Sequence, residues 1–289
     1  MTDESYQIDK HWVRRAFDQA AERYDELAVL QHEVGKRLLE RLDYIRLQPD
    51  TILDLGCGTG QLSGALLKRY RGSRVFGLDL APGMLRQARA KSGWWRKPHY
   101  LAGDIESLPI ADNRVDLLLS NLSFQWCQDL DRVLAECRRV LRPGGLLLFT
   151  TFGPDTLSEL RSSWRAVDGR VHVNRFIDMH DIGDALLRAR LADPVMDVEC
   201  FTLTYPDVSS LMRELKGIGA HNVSAGRPRG LTGKAALQAL SAHYETFRNQ
   251  GVLPASYEVI YGHAWMPAAQ SSPRQGPAEV SVPLDMLRR

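Results

Sequence analysis

The feature that most constrains this 289-residue chain is the stretch Thr51 to Gln61, TILDLGCGTGQ. Ile52-Leu53-Asp54-Leu55 is apolar without polar alternation, the pattern of a parallel strand buried on both faces. It breaks at once into Gly56-Cys57-Gly58-Thr59-Gly60, and Leu62, Leu66 and Leu67 follow at helical spacing. Three glycines in five residues permit positive φ and let a ligand lie directly against the backbone. Strand, glycine turn and helix N-terminus together hold nucleotide-like ligands in many α/β proteins. A dinucleotide fingerprint requires G-x-G-x-x-G, whereas these glycines fall at 56, 58 and 60, behind the acidic Asp54. Such a carboxylate repels a pyrophosphate and attracts an ammonium group. Taken alone, the turn fits a bare βα connection equally well.

Two more strand ends follow in order. Arg74-Val75-Phe76-Gly77-Leu78-Asp79 ends on a carboxylate, and Ala81-Pro82-Gly83-Met84 opens a helix. An acid about 20 residues past a glycine turn can accept both hydroxyls of a ribose, although singly it more often caps a helix. Tyr100-Leu101-Ala102-Gly103-Asp104-Ile105 reads as a third strand end. The D-x-G-x-G-x-G run with these acids resembles motif I and its companions in class I S-adenosylmethionine-dependent methyltransferases. The resemblance implies S-adenosylmethionine as cofactor. It makes Asp54, Gly56, Cys57, Gly58, Gly60, Asp79, Leu80 and Met84 cofactor-binding, with Asp54 toward the ammonium group and Asp79 toward the ribose hydroxyls. Asp104 would receive the adenine amino group and Ile105 would lie against the ring, with Asn121 at the next strand end.

The rest of the chain reads as a Rossmann-like, doubly wound α/β sheet of seven strands. Residues 1–48 read as an N-terminal helical lid and 49–152 as the cofactor-binding core. Residues 153–267 would supply cap helices and the last strands, and 268–289, rich in Pro, Ser and Gln, a partly disordered tail. Within the lid, 10–27 and 30–45 carry apolar residues at helical spacing, and Tyr24, with Gln31 as a lesser candidate, can reach the cofactor. Val115 to Ser120 is a fourth strand, a helix covers 130–141, and Arg142-Pro143-Gly144-Gly145 is helix-stop chemistry before a fifth strand. Alternation over 195–203 and 256–265 predicts the last two strands.

Composition excludes several classes. A formal charge of +2 gives no mandate for nucleic acid. Four cysteines without C-x-x-C spacing argue against zinc or a disulfide framework, and no metal site is expected. No apolar run approaches the roughly 20 residues that cross a bilayer, so a soluble, cytoplasmic protein is expected.

The acceptor is constrained by what is missing. After the fourth strand the chain reads Ser120-Asn121-Leu122-Ser123-Phe124-Gln125-Trp126, without the double proline common in amine methylation. No His or Glu stands at a strand end as a general base. A carboxylate acceptor is already ionised at neutral pH, with a reference pKa of about 4, and needs cations and shape instead. Arg161, Arg165, Arg170, Arg175, Lys216, Arg227 and Arg229 gather in the cap. Arg175, flanked by Val173 and Phe176, is expected to be partly buried and to grip a carboxylate.

Beyond the core, AFDQAAERYDELAVLQ (16–31), SNLSFQWC (120–127), TFGPDTLSELRSSW (151–164), HVNRF (172–176), LKGIGAHN (215–222) and GLTGKAALQAL (230–240) resemble the malonyl-acyl-carrier-protein O-methyltransferases of biotin synthesis. The resemblance covers about residues 10–266 and implies methylation of the free carboxylate of a malonyl thioester, on acyl-carrier protein or coenzyme A. Arg175 would clamp that carboxylate, Lys216 and Asn222 would assist, and Trp126 and Tyr205 would wall the acceptor. Two other readings share the core: a small-acid or quinone-pathway methyltransferase, and a non-methylating assembly factor.

Overall fold

The computed structural model describes residues 8–220, 222 and 232–268. Of the tail expected over 268–289, residues 269–289 lie outside the described residues, as do Arg227 and Arg229. Five strands run parallel: β1 (Thr51–Leu55), β2 (Arg74–Asp79), β3 (His99–Ala102), β4 (Val115–Asn121) and β5 (Leu141–Phe152). Two more, β6 (Ala192–Tyr205) and β7 (Leu253–Trp265), complete a seven-stranded sheet in the order β3-β2-β1-β4-β5-β7-β6. Only β7 is antiparallel to its neighbours, β5 and β6. The strand order reverses at β1 and β4, and in open parallel sheets the crevice outside the strand C-termini at such a reversal is where ligands bind.

Helices clothe both faces because the central strands are apolar on both. The helices are α1 (Lys10–Ala20), α2 (Tyr24–Leu27), α3 (Val29–Arg41), α4 (Gln61–Arg69), α5 (Pro82–Lys91), α6 (Leu130–Val140), α7 (Ser158–Val167), α8 (Met179–Arg188), α9 (Val208–Gly217) and α10 (Lys234–Tyr244). Consecutive side chains of a strand point to opposite faces. Leu117 and Leu119 therefore pack, with Leu146 and Leu148, into one core with Val34 of α3, Leu66 of α4, Leu160 of α7, Leu211 of α9 and Leu240 of α10. Leu118, Leu147 and Phe149 face the other way, onto Val133, Leu134 and Cys137 of α6 and Ile182 and Leu186 of α8.

Three local expectations are revised. The helix expected over 10–27 breaks after Ala20 and resumes at Tyr24, because Arg23 leaves helical space at φ −107° and ψ 0°. The break lets Asp25 meet Thr59 of the glycine turn, whose Oγ1 donates to Asp25 Oδ1 at 2.5 Å. The third strand ends at Ala102, so Asp104 stands beyond it in a turn that its own Oδ1 stabilises by accepting from the Glu106 amide at 2.9 Å. The Arg142-to-Gly145 stop does end α6, but the chain is already paired at Leu141 and loops out before pairing resumes at Leu146. Gly144 makes that loop possible at φ +78°.

Candidate functional site

The glycine turn is tied to the end of β2 by its own amides. Gly56 and Cys57 both donate to the Leu78 carbonyl, at 2.8 and 3.0 Å, and Gly58 donates to Asp79 Oδ2 at 2.8 Å. The other Asp79 oxygen accepts from the Ala81 amide at 2.8 Å, which fixes the start of α5. Gly56, Gly58 and Gly60 all have positive φ. Their surroundings differ: a Cβ on Gly56 would lie 2.4 Å from the Ser123 Cβ and one on Gly60 2.3 Å from the Tyr100 hydroxyl, but one on Gly58 would meet no protein atom within 4 Å. Gly58 thus presents bare backbone to open space, the cradle that a ligand pressed against the chain requires.

That space is a cavity of about 110 Å³. It is walled by Gly56, Gly58, Asp79, Leu80, Met84, Asp104 and Ile105 from the core, by Asn121 to Ser123 at the end of β4, and by Phe17, Tyr24 and Gln31 from the N-terminal helices. Most residues expected at the cofactor are therefore brought together. Asp54 is not a wall residue: it is 1% exposed beneath the turn, and its Oδ2 accepts from the Ser63 hydroxyl at 2.6 Å. Cys57 and Gly60 also face protein rather than cavity. Asn121 holds the floor together, donating to the Gln31 carbonyl at 3.0 Å and accepting from Thr150 at 2.8 Å. Leu122 sits at φ +49°, a strained conformation for a branched side chain, and is held there by Thr150.

Burial shapes the charges. It pushes Asp79 up to about 6, against the opposing pull of the Ala81 and Gly58 amides. Asp54 is raised to about 7, again by burial first, with Ser63 pulling down and the Asp79 charge pushing further up. Tyr24 is also pushed up by burial and by Asp79. A cavity with the poorly solvated Asp79 in its wall and Asp54 buried beneath the turn favours a cation.

The Asp54 shift has a measurable consequence. Its folded pKa lies above the ordinary unfolded value near 3.9, so the folded state holds the extra proton between those values. Stability contributed here falls as pH rises through that window. Asp54→Asn is expected to raise the stability of the ligand-free protein at pH 8 by roughly 1–3 kcal/mol, with the gain gone by pH 4. Thermal melts of both proteins across that range check it.

The cofactor cavity does not stand alone. Gln31, Trp126, Phe152, Ile218 and Ala220 also wall an inner cavity of about 280 Å³, lined further by α7, α9, β7 and the 172–176 segment. Trp126 packs edge-on against Phe17, with ring centroids 5.3 Å apart, which joins the N-terminal helices to the end of β4. A larger outer cavity of about 830 Å³ shares Trp164, His172, Val173, Asn174 and Phe176 with the inner one.

The acceptor residues fare differently. Trp126 walls the first two cavities and Asn222 the inner one. Arg175 is exposed rather than partly buried, and it lines the outer cavity with Arg161, Arg165 and Arg170. The extended run from Asp168 to Asp178 has no regular period, so apolar neighbours in sequence do not bury it. Lys216 is exposed on the last turn of α9 and lines none of the three cavities. Tyr205, 6% exposed, packs in the core and donates to Glu214 Oε1 at 2.8 Å, so it is not an acceptor wall here. Tyr257 of β7 lines the inner cavity instead.

Lys10 carried no sequence signal. Its Nζ lies 2.5 Å from Asp104 Oδ2 and 2.6 Å from Glu106 Oε2, at the Asp104 end of the cavity. Burial works to lower its pKa, but the bonds to both carboxylates outweigh burial and leave it raised. Among the described residues, no cluster could hold a metal ion, no helix is long and apolar enough to cross a membrane, and all four cysteines are free.

Residues 53–149 match the family model described as a methyltransferase domain. The chain is 55% identical over 277 residues to the malonyl-[acyl-carrier protein] O-methyltransferase of Methylovorus sp., covering 93% of each chain. It is 51% identical over 281 residues to the protein of that name from Gallionella capsiferriformans, covering 95% of this chain and 97% of the other. The fold is shared with the crystal structure of the YcgJ protein of Bacillus subtilis, at TM-score 0.58 and 17% identity, covering 80% of this chain and 98% of the other. The sheet is thus the Rossmann-like class I methyltransferase sheet, the cofactor is S-adenosylmethionine, and the open backbone at Gly58 beside Asp79 suits it. With the core motif and the whole-chain likeness in agreement, this chain belongs to the malonyl-[acyl-carrier protein] O-methyltransferase family.

Proposed function

We propose that the chain methylates the free carboxylate of a malonyl thioester carried on acyl-carrier protein, giving the methyl ester that begins pimeloyl synthesis for biotin. The observation that carries this reading is the shared wall of the two inner cavities. Gln31, Trp126, Phe152, Ile218 and Ala220 border both, and none of them can act as a base. An ionised carboxylate needs no base, only positioning next to the methyl donor and exclusion of water. S-adenosylmethionine, when bound, supplies an electrophilic methyl group on a sulfonium.

The chain's own residues would divide the work as follows. Gly56 and Gly58 admit the cofactor against the backbone, Asp79 accepts from the ribose hydroxyls, and Asp104 and Ile105 receive the adenine. Lys10 lies on Asp104 and must give way to, or share it with, the adenine amino group. Phe17, Tyr24 and Gln31 close over the top, so the N-terminal helices act as a lid that keeps water from the sulfonium. A reducing compartment such as the cytoplasm suits the four free thiols.

The outer cavity fits the carrier. Carrier proteins are acidic, and Arg161, Arg165, Arg170 and Arg175 line its wall. Reversing Arg165 and Arg170 to glutamate is expected to raise KM for malonyl-carrier protein on the order of tenfold at low salt, with kcat nearly unchanged. The difference should shrink at high salt, as screening removes the attraction. Steady-state kinetics at two ionic strengths check this.

The function is tested by incubating the purified protein with methyl-labelled cofactor and malonyl-carrier protein. The expected product is a base-labile ester one methyl heavier on the acyl chain, absent with acetyl-carrier protein. Cofactor binding without transfer would redirect the reading to other small-acid or quinone-pathway acceptors. No binding at all would leave the assembly-factor reading.

A further inference from the structure

The arginines of the cap line the outer cavity, which among the described residues meets the cofactor cavity only at Gln125 and Cys127. The inner cavity adjoins the cofactor, and its polar lining is different: Gln31, Thr156, His172, Asn174, Asn222 and Thr232. Among the described residues that line it, His172 is the one side chain able to carry positive charge. Its position is built rather than incidental. The side chain is 10% exposed, and Nε2 lies 2.8 Å from Asp168 Oδ1. The ring lies flat on Trp164, with centroids 3.7 Å apart and planes 5° from parallel. Asn222 donates to the Val171 carbonyl at 2.6 Å, which pins the backbone immediately before it.

We propose that His172, as an imidazolium, is the residue that recognises the acceptor's free carboxylate. The assignment rests on the carboxyl-methylation reading above. With Nε2 engaged by Asp168, the ring's remaining polar atom is Nδ1. A neutral ring that donates from Nε2 offers only a lone pair at Nδ1, and an ionised carboxylate cannot donate to it. A carboxylate is therefore held only by the ring that carries a proton on both nitrogens. Trp164 fixes the plane of the ring and so the direction of Nδ1–H.

The geometry of the grip suits the reaction better than a guanidinium would. An arginine engages a carboxylate through two parallel bonds and ties up both oxygens. A single imidazolium N–H takes one oxygen and leaves the other with its lone pairs available to accept the methyl. Charge also separates substrate from product, because the methyl ester is neutral and no longer attracts the ring. His172 therefore sets specificity for an acyl group ending in a free carboxylate and favours departure of the ester.

The test compares malonyl-carrier protein with malonamyl-carrier protein, whose terminal amide is uncharged and of nearly the same shape. In His172→Gln, KM for malonyl-carrier protein is expected to rise about 10- to 100-fold, the loss of one charge-assisted hydrogen bond. The inhibition constant of malonamyl-carrier protein and the affinity for S-adenosylmethionine should move less than about threefold, since neither depends on that charge. Asp168→Asn, which keeps the ring and its stacking, should shift the same ratio in the same direction. A merely structural role would weaken both carrier ligands together, and that result, or an unchanged ratio in both variants, overturns the assignment. Methyl transfer by the unaltered protein reports separately on the underlying reading: its absence overturns both, whereas an unchanged ratio with transfer intact overturns only His172.

Discussion

Asp79→Ala is expected to weaken S-adenosylmethionine binding by about 100- to 10,000-fold. In the proposed placement two ribose hydroxyls lose a charged acceptor, and hydrogen bonds to charged groups contribute about 1.5–3 kcal/mol each. The same substitution also releases the Gly58 and Ala81 amides, each 2.8 Å from an Asp79 oxygen, so the turn loosens as the ligand contacts vanish. Asp79→Asn separates the two effects. Its carbonyl oxygen can still hold one of these amides, while its amide nitrogen faces the other donor. It should fall between wild type and alanine. In the unaltered protein, affinity should decline as pH drops below about 6, where the buried Asp79 carboxyl takes up its proton and stops accepting. Isothermal calorimetry of the three proteins across that range measures all of this. Undiminished affinity in the alanine variant would remove Asp79 from the site.

The contrast between Asp79 and Arg175 shows which parts of this site were legible in the chain. Asp79 ends an apolar run, and a strand end in a parallel sheet has a fixed place: the crevice above the C-terminal edge. Gly56, Gly58 and Asp104 were readable for the same reason, although Asp104 lies in a turn beyond the end of β3. The sheet itself was legible because Leu117-Leu118-Leu119 and Leu146-Leu147-Leu148 are apolar on both faces, which only a strand covered on both sides tolerates.

Where long-range packing decides, local pattern says little. The break between Ala20 and Tyr24 contains no glycine or proline. It is fixed by contacts to the glycine turn more than 30 residues away, Thr59 to Asp25 among them. Arg175 was placed by its apolar neighbours in sequence and Tyr205 by the family resemblance alone. One lies in an extended segment that turns it outward, and the other ends β6 against Glu214 of α9. Lys10 had no motif around it, and Trp164 and His172 lie at the ends of family-like stretches that gave them no role. Their chemistry exists only because α1 returns to the end of β3 and because His172 folds back onto Trp164 of α7.

The glycine turn offers the sharpest separation of fold from binding. Gly56 and Gly58 have φ of +67° and +52°, so alanine at either carries the left-handed cost of about 1–2 kcal/mol. Their surroundings then divide them. A Cβ on Gly56 would sit 2.4 Å from the Ser123 Cβ and 2.8 Å from its hydroxyl. Ser123 cannot retreat freely, since its hydroxyl donates to the Leu55 carbonyl at 3.1 Å and pairs with Ser120. Overpacking of this kind adds about 1–3 kcal/mol, so Gly56→Ala is expected to lose about 2–5 kcal/mol and melt roughly 5–15 °C lower without ligand. A Cβ on Gly58 would meet nothing within 4 Å, so Gly58→Ala should melt only a few degrees lower. Its methyl instead enters the space that the cofactor needs, and affinity should fall on the order of 100-fold. Melting curves and calorimetry on the pair therefore cross: the first variant is the less stable protein, the second the poorer binder. If Gly58→Ala bound S-adenosylmethionine as tightly as wild type, the open space above its backbone would not be where the ligand lies.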